Sequence, residues 1–183
     1  MTVSYFPPKP YSGSGAGITF PCIGAYYYPD QYASADNTAT VVQWNGTSAL
    51  NGFTLNVDNT ATALFPGTYK ITYSLQFANS DNAAHDAICW LQVNGTDVEN
   101  STTVFTVPAR KSAGVDTYVC GYSEVVFDLN AGDSVGLLWG TDLHATSGGA
   151  LGIWIYSRAS QTSPMAYPAT PSAIGSITFV STI

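Results

Sequence analysis

The sequence predicts one all-β domain, an antiparallel jelly-roll sandwich with an extended N-terminal arm. Alternating apolar and polar residues recur with the two-residue period of half-buried strands. Asn-Gly and related turn pairs separate these runs, as expected for hairpins, and no segment reads convincingly as a helix. The 183 residues suit one domain. The predicted ranges are an arm over 1–17, a jelly roll over 18–160, and a Pro-rich connector with a terminal strand over 161–183.

The first 17 residues, MTVSYFPPKPYSGSGAG, are rich in Pro, Gly, Ser and Tyr. They predict an extended arm, or a disordered tail, without a core of its own. The segment has neither a basic start nor a long apolar stretch, so it does not indicate a signal peptide. No run in the chain approaches the roughly 20 apolar residues of a membrane span. We therefore expect no membrane partner.

The clearest predicted strand runs from Gly67 to Ala78. Its odd-numbered residues from 69 to 77 are aromatic or aliphatic, while the even-numbered ones from 68 to 76 are polar or charged, which predicts one buried and one exposed face. Shorter stretches repeat the pattern at Phe53, Leu55 and Val57 and at Val125, Phe127 and Leu129.

Two later runs, 135–139 and 151–156, are apolar on both faces. A strand of this kind must be covered on both sides. The opposing sheet covers one face, and in a chain without helices a second subunit is the expected cover for the other. The residues predicted at this subunit interface are Trp90, Leu138, Trp154 and Tyr156.

Charged residues make up only 9% of the chain, against roughly 25% in ordinary soluble domains. Such a surface is either neutral and polar or covered by neighbouring subunits, since exposed surfaces normally rely on charge for solubility. Five Lys and Arg against twelve Asp and Glu leave a net charge of −7. Nucleic acid is therefore excluded as an expected partner, because its binding depends on cations at phosphates.

Four pieces of the chain, in order, resemble the jelly-roll family of the complement globular head and tumour necrosis factor. They are the strand PGTYKITY from Pro66, the hairpin WLQVNGTDV from Trp90, the element VVFDLNAGDSV from Val125, and LGIWIY from Leu151, which resembles the closing strand. The resemblance covers 51–156 and implies a homotrimer about a threefold axis. The sequence shows no collagen repeat, and we expect neither a signal peptide nor a membrane anchor, in contrast to members of the family that have them.

The tail YPATPSAI from Tyr167 resembles the ends of tailed-phage virion proteins that carry this jelly roll. The resemblance implies a trimeric capsid decoration protein on the virion surface, assembled in the host cytoplasm and bound to the major capsid protein or other virion proteins. One alternative is the receptor- or glycan-binding tip of a phage fibre. For that function, Tyr26, Tyr27, Tyr28 and Tyr32 beside Asp30 are the candidates to stack on a host surface glycan; the competing interpretation is that these tyrosines pack under the arm.

The residues that usually carry chemistry are sparse. The acids Asp81 and Asp86, or Asp142 with His144, are interpreted as solvated loop residues rather than as a metal site. A glycan-active enzyme is the second alternative, for which Glu124 and Asp128 are a possible carboxylate pair. We expect no enzyme activity, cofactor or metal.

The three cysteines are Cys22, Cys89 and Cys120, an odd number without metal-type spacing. Cys89 and Cys120 lie in strand-like runs, where a free cysteine is expected to be a small buried hydrophobe.

Overall fold

The computed structural model of the protein describes residues 20–183, so the predicted arm over 1–17 lies outside the described residues. The described part contains thirteen strands and no helix, which confirms the all-β prediction. The strands are β1 (Cys22–Tyr27), β2 (Thr40–Val41), β3 (Gly46–Asn51), β4 (Phe53–Leu55), β5 (Ala61–Ala63), β6 (Gly67–Asn79), β7 (His85–Val93), β8 (Thr96–Asp97), β9 (Thr103–Val107), β10 (Thr117–Leu129), β11 (Ser134–Thr141), β12 (Ile153–Ile155) and β13 (Ala173–Ser181). Residues 20–183 contain no helix of the length and apolarity that would be needed to cross a membrane.

The strands form two antiparallel sheets. The six-stranded sheet has the order β10-β6-β13-β1-β3, and β12 pairs with the far end of β6. The seven-stranded sheet has the order β4-β5-β11-β7-β8, with β2 beside β11 and β9 beside β7. The two sheets form the predicted sandwich, because the apolar side of each packs against the other.

The core lies between the sheets and is built on β6. Its odd-numbered residues from 69 to 77 are all buried, as the alternation predicts. Phe77 packs against Trp139 of the opposing sheet, with ring centroids 6.2 Å apart, and against Phe105 at 5.7 Å. Gly121 belongs to the same contact, because a Cβ there would lie 2.8 Å from the Phe77 ring.

The closing strand of the sandwich is β13, not the run Leu151–Tyr156 that resembles it in sequence. β13 lies between β6 and β1 and pairs with both, whereas β12 pairs only with the last residues of β6. The terminal strand predicted within 161–183 thus occupies a central position in the six-stranded sheet. Its odd-numbered residues Ala173 and Ile177 are buried in the core.

The residues that form turns explain where two of the strands end. Asn94 and Gly95 both have positive φ, 53° and 77°, as a tight hairpin between β7 and β8 requires. The prediction that Val57 continues the strand of Phe53 and Leu55 is wrong, since Val57 is fully exposed. A turn interrupts the strand, because the Asn59 amide donates to the Asn56 carbonyl at 3.1 Å.

Cys89 and Cys120 lie in different sheets, and one faces the core while the other faces outward. Cys89 is fully buried in the core, as predicted, and Cys120 is exposed, so its predicted burial is wrong. The reason is parity: in β10 the inward residues are odd-numbered, including Val125 and Leu129, and an even-numbered residue must face outward.

Candidate assembly interface

The outward side of β10 carries an unusual number of exposed apolar side chains. Tyr118, Tyr122 and Val126 alternate with inward-facing residues along this strand. Tyr122 is 58% exposed and Tyr118 46% exposed. Within the described chain β10 pairs only with β6, so these side chains lie at a free edge of the six-stranded sheet.

A belt of side chains crosses the sheet from this edge. In register, Tyr122 lies opposite Ser74, Ser74 opposite Ile174, and Ile174 opposite Tyr26. Ile174 is 50% exposed and Tyr26 is half-buried. Because the small Ser74 lies between two large residues, the belt is recessed at its centre.

An aromatic cluster lies beside the belt, where β12 meets β6. Trp154 is opposite Ala78, and Ala78 is opposite Tyr118 on the other side. The rings of Tyr118 and Tyr156 are 4.8 Å apart and those of Trp154 and Tyr156 are 6.4 Å apart. Partial burial, followed by the neighbouring Tyr156 and Asp116, raises the pKa of Tyr118 against the opposing effect of Arg158, so its phenol stays neutral at physiological pH.

Arg158 is the cation of this cluster. Its Cζ atom lies 5.7 Å from the ring centres of both Tyr118 and Tyr156, within cation–π range. Its Nε donates to the Tyr156 hydroxyl at 3.3 Å. Together with Met165 and Tyr167 these side chains line an open cleft of about 410 Å³. We call the surface formed by Tyr118, Tyr122, Trp154, Tyr156 and Ile174 the aromatic face.

The four predicted interface residues do not lie together. Trp154 and Tyr156 belong to the aromatic face, whereas Trp90 and Leu138 lie opposite each other on the seven-stranded sheet. Leu138 is only 6% exposed within the single chain, because β2 pairs with β11 there and Val41 lies opposite it. Its own chain covers it, so its burial gives no reason to place it at a subunit interface.

Sequence reasoning missed Tyr118, Tyr122 and Ile174. The available signal was the alternation of β10, since extending the inward parity of Val125 and Leu129 back along the strand places Tyr118 and Tyr122 outside. No comparable signal places Ile174 beside Tyr122, because their two strands meet only through β6.

His85, the first residue of β7, and His144 are both held by carboxylates. His85 contacts Asp142 Oδ2 through Nδ1 at 2.9 Å and Asp81 Oδ2 through Nε2 at 3.1 Å. Burial lowers the pKa of His85, but the hydrogen bonds and charges of the two aspartates outweigh it and the net pKa is raised. His144 Nδ1 lies 2.5 Å from Asp36 Oδ1.

The same contacts change the pKa values of the aspartates. The His144 side chain and backbone lower the pKa of Asp36, and the His85 side chain lowers that of Asp81. For Asp142, burial raises the pKa, but its bonds to His85 and to the Asp86 amide produce a net lowering. Within 20–183 no group of three or more such residues is arranged to hold a metal ion.

The tyrosines considered for glycan stacking do not form one platform. Tyr27 packs against the core, while Tyr26 and Tyr28 meet edge to face at 5.4 Å. Asp30 accepts hydrogen bonds from the Ser157 amide and hydroxyl, each at 2.7 Å. Partial burial and the neighbouring Asp30 raise the pKa of Tyr32. Glu124, the acid considered with Asp128 as a carboxylate pair, lies 3.6 Å from Lys70, and Asp128 accepts from Thr68 at 2.6 Å.

Comparison with known proteins identifies the fold and no close relative. No family model matches the sequence, and no curated protein matches it. Among solved structures, Eiger TNF from S. frugiperda matches with a TM-score of 0.53 and 10% identity, covering 90% of this chain and 94% of that one. Murine APRIL, in a crystal structure at pH 5.0, matches with a TM-score of 0.54 and 12% identity, covering 88% and 100%. The likeness confirms the predicted jelly roll of the tumour-necrosis-factor type, and at these identities it concerns the fold alone.

Proposed function

We propose that this chain is a non-catalytic structural protein that forms a homotrimer through its aromatic face and decorates the capsid surface of a virion. The observation that carries the proposal is the belt from Tyr122 to Ile174, in which Tyr122 is more than half exposed and Ile174 is half exposed. Together with the contacting rings of Tyr118, Tyr156 and Trp154 the belt forms one apolar face, and an apolar face of this kind marks an interaction site on a soluble protein.

The position of the belt favours a cyclic assembly. It begins at β10, the free edge of the six-stranded sheet in the described chain, where a neighbouring subunit can approach without displacing a strand. A contact between the edge of one subunit and the sheet of the next is heterologous, and such contacts close into a ring when the rotation from one subunit to the next divides a full turn. Three subunits are the number implied by the family that the chain resembles.

The charge content supports a surface that is partly covered. The six-stranded sheet carries the ion pair of Lys70 and Glu124 at the side of the aromatic face next to Tyr122, at 3.6 Å between Nζ and Oε2. A chain with only 9% charged residues has few others to keep neighbours apart. The virion surface as the location, and the major capsid protein as the partner, are supported by this composition and by the tail sequence from Tyr167.

Two measurements test the proposal. Light scattering on the purified protein should give about three times the chain mass of 19.3 kDa, and a monomer at micromolar concentration would contradict the trimer. Labelling the protein on assembled particles should then place copies over the whole shell. Copies confined to a fibre tip would support the receptor-binding alternative instead, and absence from the particle would refute a virion function altogether.

A further inference from the structure

A second cleft, of about 310 Å³, lies on the outer side of the seven-stranded sheet, opposite the aromatic face. Ile88 and Trp90 of β7 form its floor together with Gly140 of β11, and the loop through Asn37 forms one wall. Ile88 is directly opposite Gly140. Because Gly140 has no side chain, the wall can approach the floor closely there: a Cβ on Gly140 would lie 3.2 Å from the Thr38 carbonyl oxygen.

The wall of the cleft is held in place by the fold. The backbone N–H of Asn37 donates to the Thr141 carbonyl at 2.8 Å. One residue earlier, Asp36 accepts from the His144 amide at 2.8 Å and contacts its ring. The Trp90 ring is fixed as well, because its Nε1 donates to Asp97 Oδ1 at 2.8 Å. The cleft is therefore formed before any ligand arrives, as is usual for small-molecule sites.

Some polar groups of the cleft already form hydrogen bonds within the protein, and others do not. Asp142 accepts from the Asp86 amide through Oδ1 at 3.1 Å and contacts His85 through Oδ2. Asp86 Oδ1 accepts from the Thr106 hydroxyl at 2.6 Å. Within residues 20–183, neither Asp86 Oδ2 nor the Asn37 carboxamide has a hydrogen-bond partner. A ligand thus meets one free carboxylate oxygen, one free amide and an aromatic floor.

We infer that this cleft binds a neutral, hydroxyl-rich glycan. A pyranose ring has an apolar C–H face that can lie on the Trp90 indole. Its hydroxyls can donate to Asp86 and can both donate to and accept from the side-chain carboxamide of Asn37. Acidic glycans are disfavoured, because two carboxylates line the cleft and the chain has a net charge of −7. A metal ion is disfavoured as well, because both oxygens of Asp142 are already engaged.

The site differs from the tyrosines that the sequence analysis considered for glycan stacking, and it does not depend on trimer formation. Because it lies on the sheet opposite the aromatic face, it stays open in the proposed trimer. A chain that proves monomeric would still bind, so the two proposals fail separately.

The test is ligand-observed NMR on the full chain with lactose, maltotriose, chitotriose and mannotriose, and with sialyllactose as the acidic comparison. At least one neutral oligosaccharide should bind at millimolar concentration and more tightly than sialyllactose. Trp90→Ala should abolish that binding. Asn37→Gly should weaken it about threefold to tenfold, the equivalent of one hydrogen bond. The Asn37 backbone tolerates this change, because its φ of 52° suits glycine.

Tyr28→Ala is the matched control, an exposed aromatic residue outside the cleft, and it should bind as the parent does. If Trp90→Ala lowers the thermal unfolding midpoint, Asn37→Gly alone decides. The inference is overturned if no neutral oligosaccharide binds, if sialyllactose binds more tightly than all of them, if Asn37→Gly binds as well as the parent, or if Tyr28→Ala is the variant that loses binding.

Discussion

Replacing Tyr122 by alanine removes the largest exposed side chain of the belt from the proposed trimer. Fully burying a large apolar side chain stabilises by about 1.5–3 kcal/mol. Tyr122 is 58% exposed in the single chain, so its burial in the trimer contributes about 1–2 kcal/mol per copy on the same scale. Three copies contribute about 3–5 kcal/mol, which corresponds to a loss of roughly 10²- to 10⁴-fold in the overall association constant.

The substitution should leave the single chain folded. Within the described chain, the Tyr122 hydroxyl donates to Glu124 Oε2 at 3.2 Å on the exposed side of the sheet, and its loss changes stability little. The matched control is Val104→Ala, since Val104 is 54% exposed on β9 of the other sheet.

The assay is a dilution series followed by light scattering, with the urea unfolding midpoint of each variant measured at a concentration where it is monomeric. Tyr122→Ala should dissociate at a much higher concentration than the parent, while Val104→Ala should dissociate at the parent's. The reasoning is refuted if Tyr122→Ala dissociates as the parent does, or if Val104→Ala weakens the trimer equally.

Three further outcomes follow from the same contacts. Leu138→Asp should lower the free energy of unfolding of the single chain by about 3 kcal/mol or more, because its own chain buries the new carboxylate. An unchanged urea midpoint would contradict the burial of Leu138 beside β2. The His85 contribution to stability should be complete below about pH 6.5 and be lost as pH rises through its raised folded-state pKa; thermal midpoints of the parent and His85→Gln between pH 5 and 9 should therefore converge toward the alkaline end, and a constant difference would exclude the linkage. A thiol reagent should label Cys120 in the folded monomer and more slowly in the trimer, but label Cys89 only on unfolding, because burial raises the pKa of the Cys89 thiol; equal labelling of both cysteines would contradict their placement.

Alternation in the sequence was sufficient to predict which side of a strand faces the core. It placed the odd-numbered residues of β6 inside, and the same parity extended along β10 would have placed Cys120 and Tyr122 outside. These properties are local, because side chains in a strand alternate with a period of two whatever its neighbours are. The Asn94-Gly95 hairpin was predictable for the same reason, since the turn depends on two consecutive residues.

Parity does not reveal which segment covers an outward face, because that depends on pairing between distant parts of the chain. Leu138 looked in need of a partner until β2, about a hundred residues earlier in the chain, proved to lie beside it. The central place of β13 was hidden for the same reason, and so was the separation of Trp90 from Trp154 onto different sheets. Tyr122 and Ile174 lie on either side of Ser74, and Asn37 and Trp90 line one cleft, only once segments far apart in sequence have come together.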